Sequence, residues 1–181
     1  MAPVLFADTA ALERWLESYH DKEDEIWILV GKKGSGVTSV SVQEALDLAL
    51  CFGWIDGQRK SYDDRHFLQR YVPRRPRSTW SQVNVAKVEA LTAAGRMRPA
   101  GLAEVARAQA DGRWAAAYPS QRNATVPPDL AEALSGDERA KAAFDALPAT
   151  ERYGLILNLV KLRTAAGRAT RVRAILAALS A

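Results

Sequence analysis

The chain contains one cysteine, two histidines and no long uninterrupted apolar run, and each scarcity removes a class of function. With Cys51 alone, no intrachain disulfide and no thiolate metal cluster can form, and a reducing, cytoplasmic compartment is the simplest setting. His20 and His66 stand far apart, without an H-x-x-x-H or cysteine spacing, so no structural zinc site is expected and no cofactor is called for. No stretch approaches the roughly 18 apolar residues of a membrane span. The apolar segment from Val4 to Ala7 stops at Asp8 and follows no basic region, which is not the pattern of a signal peptide. Repeats, low-complexity tracts and a G-x-S-x-G nucleophile elbow are missing, as are RNA-recognition, KH and helix-turn-helix signatures. The segment Gly31 to Gly36 (GKKGSG) does not follow the glycine and lysine order of a phosphate loop and reads as a turn.

What is present describes an ordinary globular chain of 181 residues, 48% apolar and 25% charged. Its net charge of +4 is unevenly placed. Arg59 to Arg77 holds seven basic residues against Asp63 and Asp64, a local charge of +5. Glu151 to Ala181 holds six against Glu151, again +5, which leaves −6 on the rest. Two basic segments on an acidic body point to a local anionic partner rather than to general adhesion.

Periodicity supplies the elements. Leu12, Trp15, Leu16 and Tyr19 recur at helical spacing and predict a helix over 9–19, capped by Asp8 or Thr9. Residues 25–32 (EIWILVGK) read as a strand buried on both sides. Ser41 and Glu44 form a capping box that opens a helix to Phe52, with Val42, Ala45, Leu46, Ala49 and Leu50 inward. Strands over 54–62 and 66–72 form a hairpin turning at Asp63 and Asp64. Strict alternation would put Trp54, Asp56, Gln58, Lys60, Phe67, Gln69 and Tyr71 on one face, and Ile55, Gly57, Arg59, Leu68, Arg70 and Val72 on the other. Pro73 and Pro76 hold the next residues extended. Ser78 or Ser81 caps a helix that stops at Gly95, and Pro99 or Gly101 opens another to about Asp111. Further helices are predicted over 128–134, 138–147, 150–163 and 170–179. The expected fold is α+β, a small, mainly antiparallel sheet with helices on one face and a C-terminal helical unit. Its expected division is an α+β domain over 1–118, a proline-bearing linker over 119–129, and a helical subdomain over 130–181 packed on the first.

The order Gly53-Trp54-Ile55-Asp56-Gly57, Pro73-Arg74-Arg75, Ser78-x-Trp80-Ser81-x-x-Asn84, Gly95-x-Met97 and Gly101 resembles the bacterial family described as bacteriocin-protection, YdeI or OmpD-associated. The DGRW run ending at Trp114 and the segment Phe144 to Leu179, with Lys161-x-Arg163 near Thr170-Arg171, extend the resemblance to roughly two-thirds of the chain. It implies an α+β module, loosely similar to small YjbR/frataxin-like folds, with a helical appendage. Gly53, Trp54, Asp56, Gly57, Trp80, Ser81, Asn84 and Trp114 would then be its structural motif residues. The family description mentions resistance to antibacterial peptides and a periplasmic location, whereas this sequence carries no export pattern.

Two functional readings remain open beside a purely structural one, in which the basic segments are solvated surface of a stress-related partner-binding protein. The first is a non-enzymatic cytoplasmic module that grips nucleic acid, nucleotide or an acidic protein surface through Arg59, Arg70, Arg74, Arg75, Arg77, Arg168 and Arg171. Tyr62, Phe67, Tyr71 and Trp80 offer stacking surfaces there, or are simply core. Arg168, Arg171 and Arg173 would crowd the start of the last helix, where the macrodipole disfavours cations. Either a bound anion or nearby carboxylates must offset them. The second reading is an enzyme on a small phosphorylated or carboxylated substrate, with Asp56 as acid or base beside Lys60 and Asn84. A turn aspartate, a packing glycine and a helix-start asparagine explain those same residues without catalysis.

Overall fold

The computed structural model describes residues 2–180, an α+β chain that divides into two compact units. One is Met1–Trp80 with Asn84–Ala116, and the other is Ser81–Val83 with Ala117–Ala181. The first holds β1 (Val4–Leu5), α1 (Thr9–Tyr19), β2 (Ile26–Gly31), α2 (Val42–Cys51), β3 (Trp54–Ser61), β4 (His66–Pro73), all but the first two residues of α3 (Gln82–Ala93), and α4 (Pro99–Ala110). The sheet order is β1-β2-β4-β3, with β1 parallel to β2 and the other pairs antiparallel. The two-residue β1 has no periodicity of its own to announce it.

Local chemistry sets the helix starts as the sequence indicates. The Asp8 carboxylate accepts from the Ala11 N–H at 2.7 Å and caps α1. Ser41 and Glu44 close a complete capping box on α2. The α2 residues that become buried are Ala45, Leu48, Ala49, Leu50 and Cys51, which rotates the inner face from the expected set toward Leu48.

Burial along β2 alternates, and this corrects the expectation of a strand covered on both sides. Ile26, Ile28 and Val30 face inward with Trp54, Gln69 and Tyr71, whereas Trp27 and Leu29 are half-buried on the outward face. Helices α1 and α2 cover the inward face. Trp15 meets Trp54 edge-to-face at 5.8 Å, the Trp54 indole donates to the His20 carbonyl, and the Tyr71 hydroxyl donates to the Val42 carbonyl at 3.2 Å. Burial, with the Asp56 charge adding to it, pushes the Tyr71 hydroxyl far above its ordinary pKa, so it stays a neutral donor.

A second correction concerns the hairpin. Asp56 pairs with Tyr71, but Arg59 pairs with Gln69, so an extra residue bulges out between Asp56 and Arg59. From Arg59 onward the faces exchange: Arg59 joins the side of Gln69 and Phe67, and Lys60 joins that of Leu68 and Arg70. The buried Gln69 amide makes the bulge tolerable by donating to the Gly57 carbonyl at 3.1 Å and accepting from Arg59 Nε at 3.1 Å.

Two glycines carry the packing at the far end of β3. Gly53 adopts φ +78° and ends α2. Gly101 seats the first turn of α4 directly on the Cys51 carbonyl, where a Cβ would overlap the backbone.

The second unit contains α5 (Pro128–Ser135), α6 (Glu138–Ala146), α7 (Ala149–Val160) and α8 (Ala165–Ser180) around Leu130, Leu134, Phe144, Ile156, Leu159, Val172 and Ile175. The region expected as a linker holds a short 3-10 turn at Gln121–Asn123. Helix α8 begins at Ala165, five residues before the expected start, with the Thr164 hydroxyl accepting from the Gly167 N–H at 3.2 Å. Arg171 and Arg173 therefore lie inside the helix, beyond the first turn where the dipole acts.

Candidate functional site

The sequence-predicted arginines separate into those engaged within the fold and those turned to solvent. Arg59, though exposed, donates from Nε to Gln69 and lies over the Phe67 ring at 4.7 Å. Arg70 Nε donates to Glu25 at 2.6 Å. Arg168 makes a bidentate pair with Asp129 at 2.9 and 2.8 Å, so carboxylate compensation, one of the two expected remedies, is what the helix start uses. That pairing holds the Asp129 carboxyl below the usual carboxylate range. Arg74 is buried, its guanidinium stacked on Trp80 at 3.6 Å with a donated bond to the Thr79 carbonyl at 2.8 Å.

Arg75, Arg77 and Arg171 are exposed, and among the described residues none has a side-chain ion pair or hydrogen bond. Arg171 sits on α8 beside a shallow depression lined by Leu162, Ala166, Gly167, Thr170 and Ala174. Arg75 and Arg77 flank Pro76 on one tight turn. The Ser78 N–H donates to the Arg75 carbonyl at 2.9 Å, and the Arg75 N–H donates to the Ser78 hydroxyl at 3.0 Å. Proline at the second position of such a turn presets its φ.

This turn is fixed from below. On its N-terminal side the Arg74 N–H donates to the Gly53 carbonyl at 2.9 Å. On its C-terminal side Arg113, itself buried and held by Asp111, donates from Nη1 to the Ser78 carbonyl at 2.9 Å. Trp80 is wedged between the Arg74 guanidinium and Trp114, whose ring meets it edge-to-face at 4.8 Å. The motif residues Trp80 and Trp114 thus support the loop that displays the two free cations. Sequence reading missed Arg113, which stands in the DGRW run beside Trp114 and carries no mark of its reach across to residue 78.

The proposed acid/base set does not come together in the same way. Asp56 is exposed on the Trp54 face of β3, Lys60 lies on the opposite face, and Asn84 is half-buried in the first turn of α3. Gly57 opens the bulge, and Ser81 precedes α3 and bridges to Tyr118. Cys51 is buried, and burial raises its thiol pKa, which opposes nucleophilic use. Among the described residues no group of three or more His, Cys, Asp or Glu is placed to hold a metal ion, and no helix is long and apolar enough to cross a membrane.

Residues 4–104 match the family model described as Domain of unknown function (DUF8412), more than half of the chain. The chain belongs to this family. A second model, described as Bacteriocin-protection, YdeI or OmpD-Associated, matches residues 123–181, the segment that holds α5 to α8, and is the family suggested by resemblance. The Gly53 to Asn84 motif and the basic turn lie within the DUF8412 match, and Arg168 and Arg171 within the YdeI or OmpD-associated match. No curated protein and no solved structure matches.

Proposed function

We propose that this protein is a non-enzymatic cytoplasmic binding module that holds an anionic group on the turn from Arg75 to Ser78. One observation carries the reading: two exposed guanidinium groups stand on a turn immobilised by four neighbours, Gly53, Trp80, Arg113 and Trp114. A turn whose backbone is already fixed leaves only the side chains to be ordered on gripping a phosphate or carboxylate, and each guanidinium offers parallel donors suited to such oxyanions. Trp80, two residues beyond the turn, is buried with Arg74 over its ring and gives the turn no base-stacking surface. This favours a compact anionic group over a single-stranded polymer. The family description speaks of bacteriocin protection. Such peptides are often cationic, and this turn repels them, so protection would be indirect.

Calorimetric titration with pyrophosphate and with a thymidine oligonucleotide tests the reading. The double variant Arg75→Glu, Arg77→Glu is expected to remove pyrophosphate binding, while Arg65→Glu, at the exposed hairpin tip, leaves it intact. For the oligonucleotide, a two-phosphate contact gives a logarithmic salt slope of about −1.4. Binding that survives both charge reversals on the turn would eliminate the site.

A further inference from the structure

The outward face of the sheet is a second surface, independent of the basic turn. Leu29 lies opposite Leu68, which lies opposite Lys60; Trp27 lies opposite Arg70, and Ile55 opposite Val72. Trp27, Leu29, Ile55, Leu68 and Val72 are only half-buried, so an apolar band crosses three strands in contact with solvent. The two charged strand residues beside it are both cations. The Lys60 ammonium sits 4.6 Å from the centre of the Trp27 ring and Arg70 lies 6.0 Å from it. No strand residue of this face is Asp or Glu, and Glu25, just before β2, is already taken by Arg70. Among the described residues Lys60 therefore meets an aromatic ring and no carboxylate.

We infer that this face docks a protein segment presenting an apolar stripe bordered by Asp and Glu, with Lys60 as its charge anchor. Three competing occupants fit less well. A single-stranded nucleic acid needs open aromatic faces, but Trp27 is approached by two cations and its neighbours are aliphatic. A second copy of the chain in a two-fold pairing brings another Lys60 to this face and no free carboxylate for either. A basic peptide meets like charge. An acidic amphipathic segment buries the apolar band and gives Lys60 the carboxylate it lacks.

The test is a random-peptide display selection on the full chain, followed by binding measurements on the enriched peptides made synthetically. Enriched sequences are expected to combine apolar residues with Asp or Glu, and to shift the Trp27 indole N–H resonance. Lys60→Glu, a change at an exposed position, should weaken them at least tenfold with the melting temperature little changed, and Leu68→Asp should weaken them likewise. Arg75→Glu with Arg77→Glu should change them less than twofold, which separates this surface from the anion site. Enriched peptides that are neutral or basic, or that bind Lys60→Glu undiminished, overturn the inference. So does an indole resonance that answers to a thymidine oligonucleotide or to protein concentration instead.

Discussion

The Arg74 guanidinium stacks at 3.6 Å on the ring of Trp80, and both residues are buried. An arginine placed this way is part of the core, although its sequence neighbours Arg75 and Arg77 are surface groups. Arg74→Ala removes the stack and the bond to the Thr79 carbonyl, and is expected to cost about 2–3 kcal/mol. Urea unfolding measures it. An unchanged midpoint would show that the turn is held without Arg74. Arg75→Ala, by contrast, should stay within about 0.5 kcal/mol.

Gln69 fills the bulge of β3 with its own amide. Gln69→Leu keeps most of the volume but leaves the Gly57 carbonyl without that donor, in a position 2% exposed. The expected loss is about 1–3 kcal/mol. Wild-type stability in Gln69→Leu would mean that water replaces the amide.

The Asp129 to Arg168 pair makes a pH-dependent contribution of known sign. Its folded pKa is depressed, so the stabilisation is present above the unfolded value of about 4 and is lost as pH falls through the folded value. Asp129 is partly exposed, which limits the effect to about 0.5–1 kcal/mol. Asp129→Asn should therefore lower stability at pH 7, with the gap to the parent closing only as pH falls from about 4 through the depressed folded value. Parallel stability curves across that range would remove the pair from the account.

Two glycines should respond to alanine in opposite ways. At Gly101 a Cβ overlaps the Cys51 carbonyl, so Gly101→Ala is expected to cost about 1–3 kcal/mol by pushing α4 off α2. Gly154 lies inside α7 with nothing nearby, and Gly154→Ala should add about 0.5–1 kcal/mol through helix propensity. Thermal melts of both variants decide this, and equal shifts would contradict the packing described.

Features written in short-range chemistry were legible in the sequence. The Ser41 and Glu44 box, Pro99 at the start of α4 and Gly95 at φ +66° after α3 all stand where their side chains or backbone freedom demand. The faces of β2 were not, because Trp27 and Leu29 are as apolar as Ile26 and Ile28, so alternation leaves no mark in hydropathy. Nor was the hairpin register legible beyond Asp56, since one inserted residue changes no composition yet moves Lys60 beside Trp27. The fate of the arginines was hidden for a different reason. Glu25 is 45 residues from Arg70, and Asp129 is 39 from Arg168, so only the folded chain shows which cations are occupied.

Strand β3 forms one border of the sheet, and the irregularity between Asp56 and Arg59 falls in its middle. An invading strand that began pairing at Trp54 would lose step with the backbone groups after three residues. The same extra residue that redirects Lys60 thus breaks an eight-residue template into short pieces, and guards the protein against edge-to-edge polymerisation.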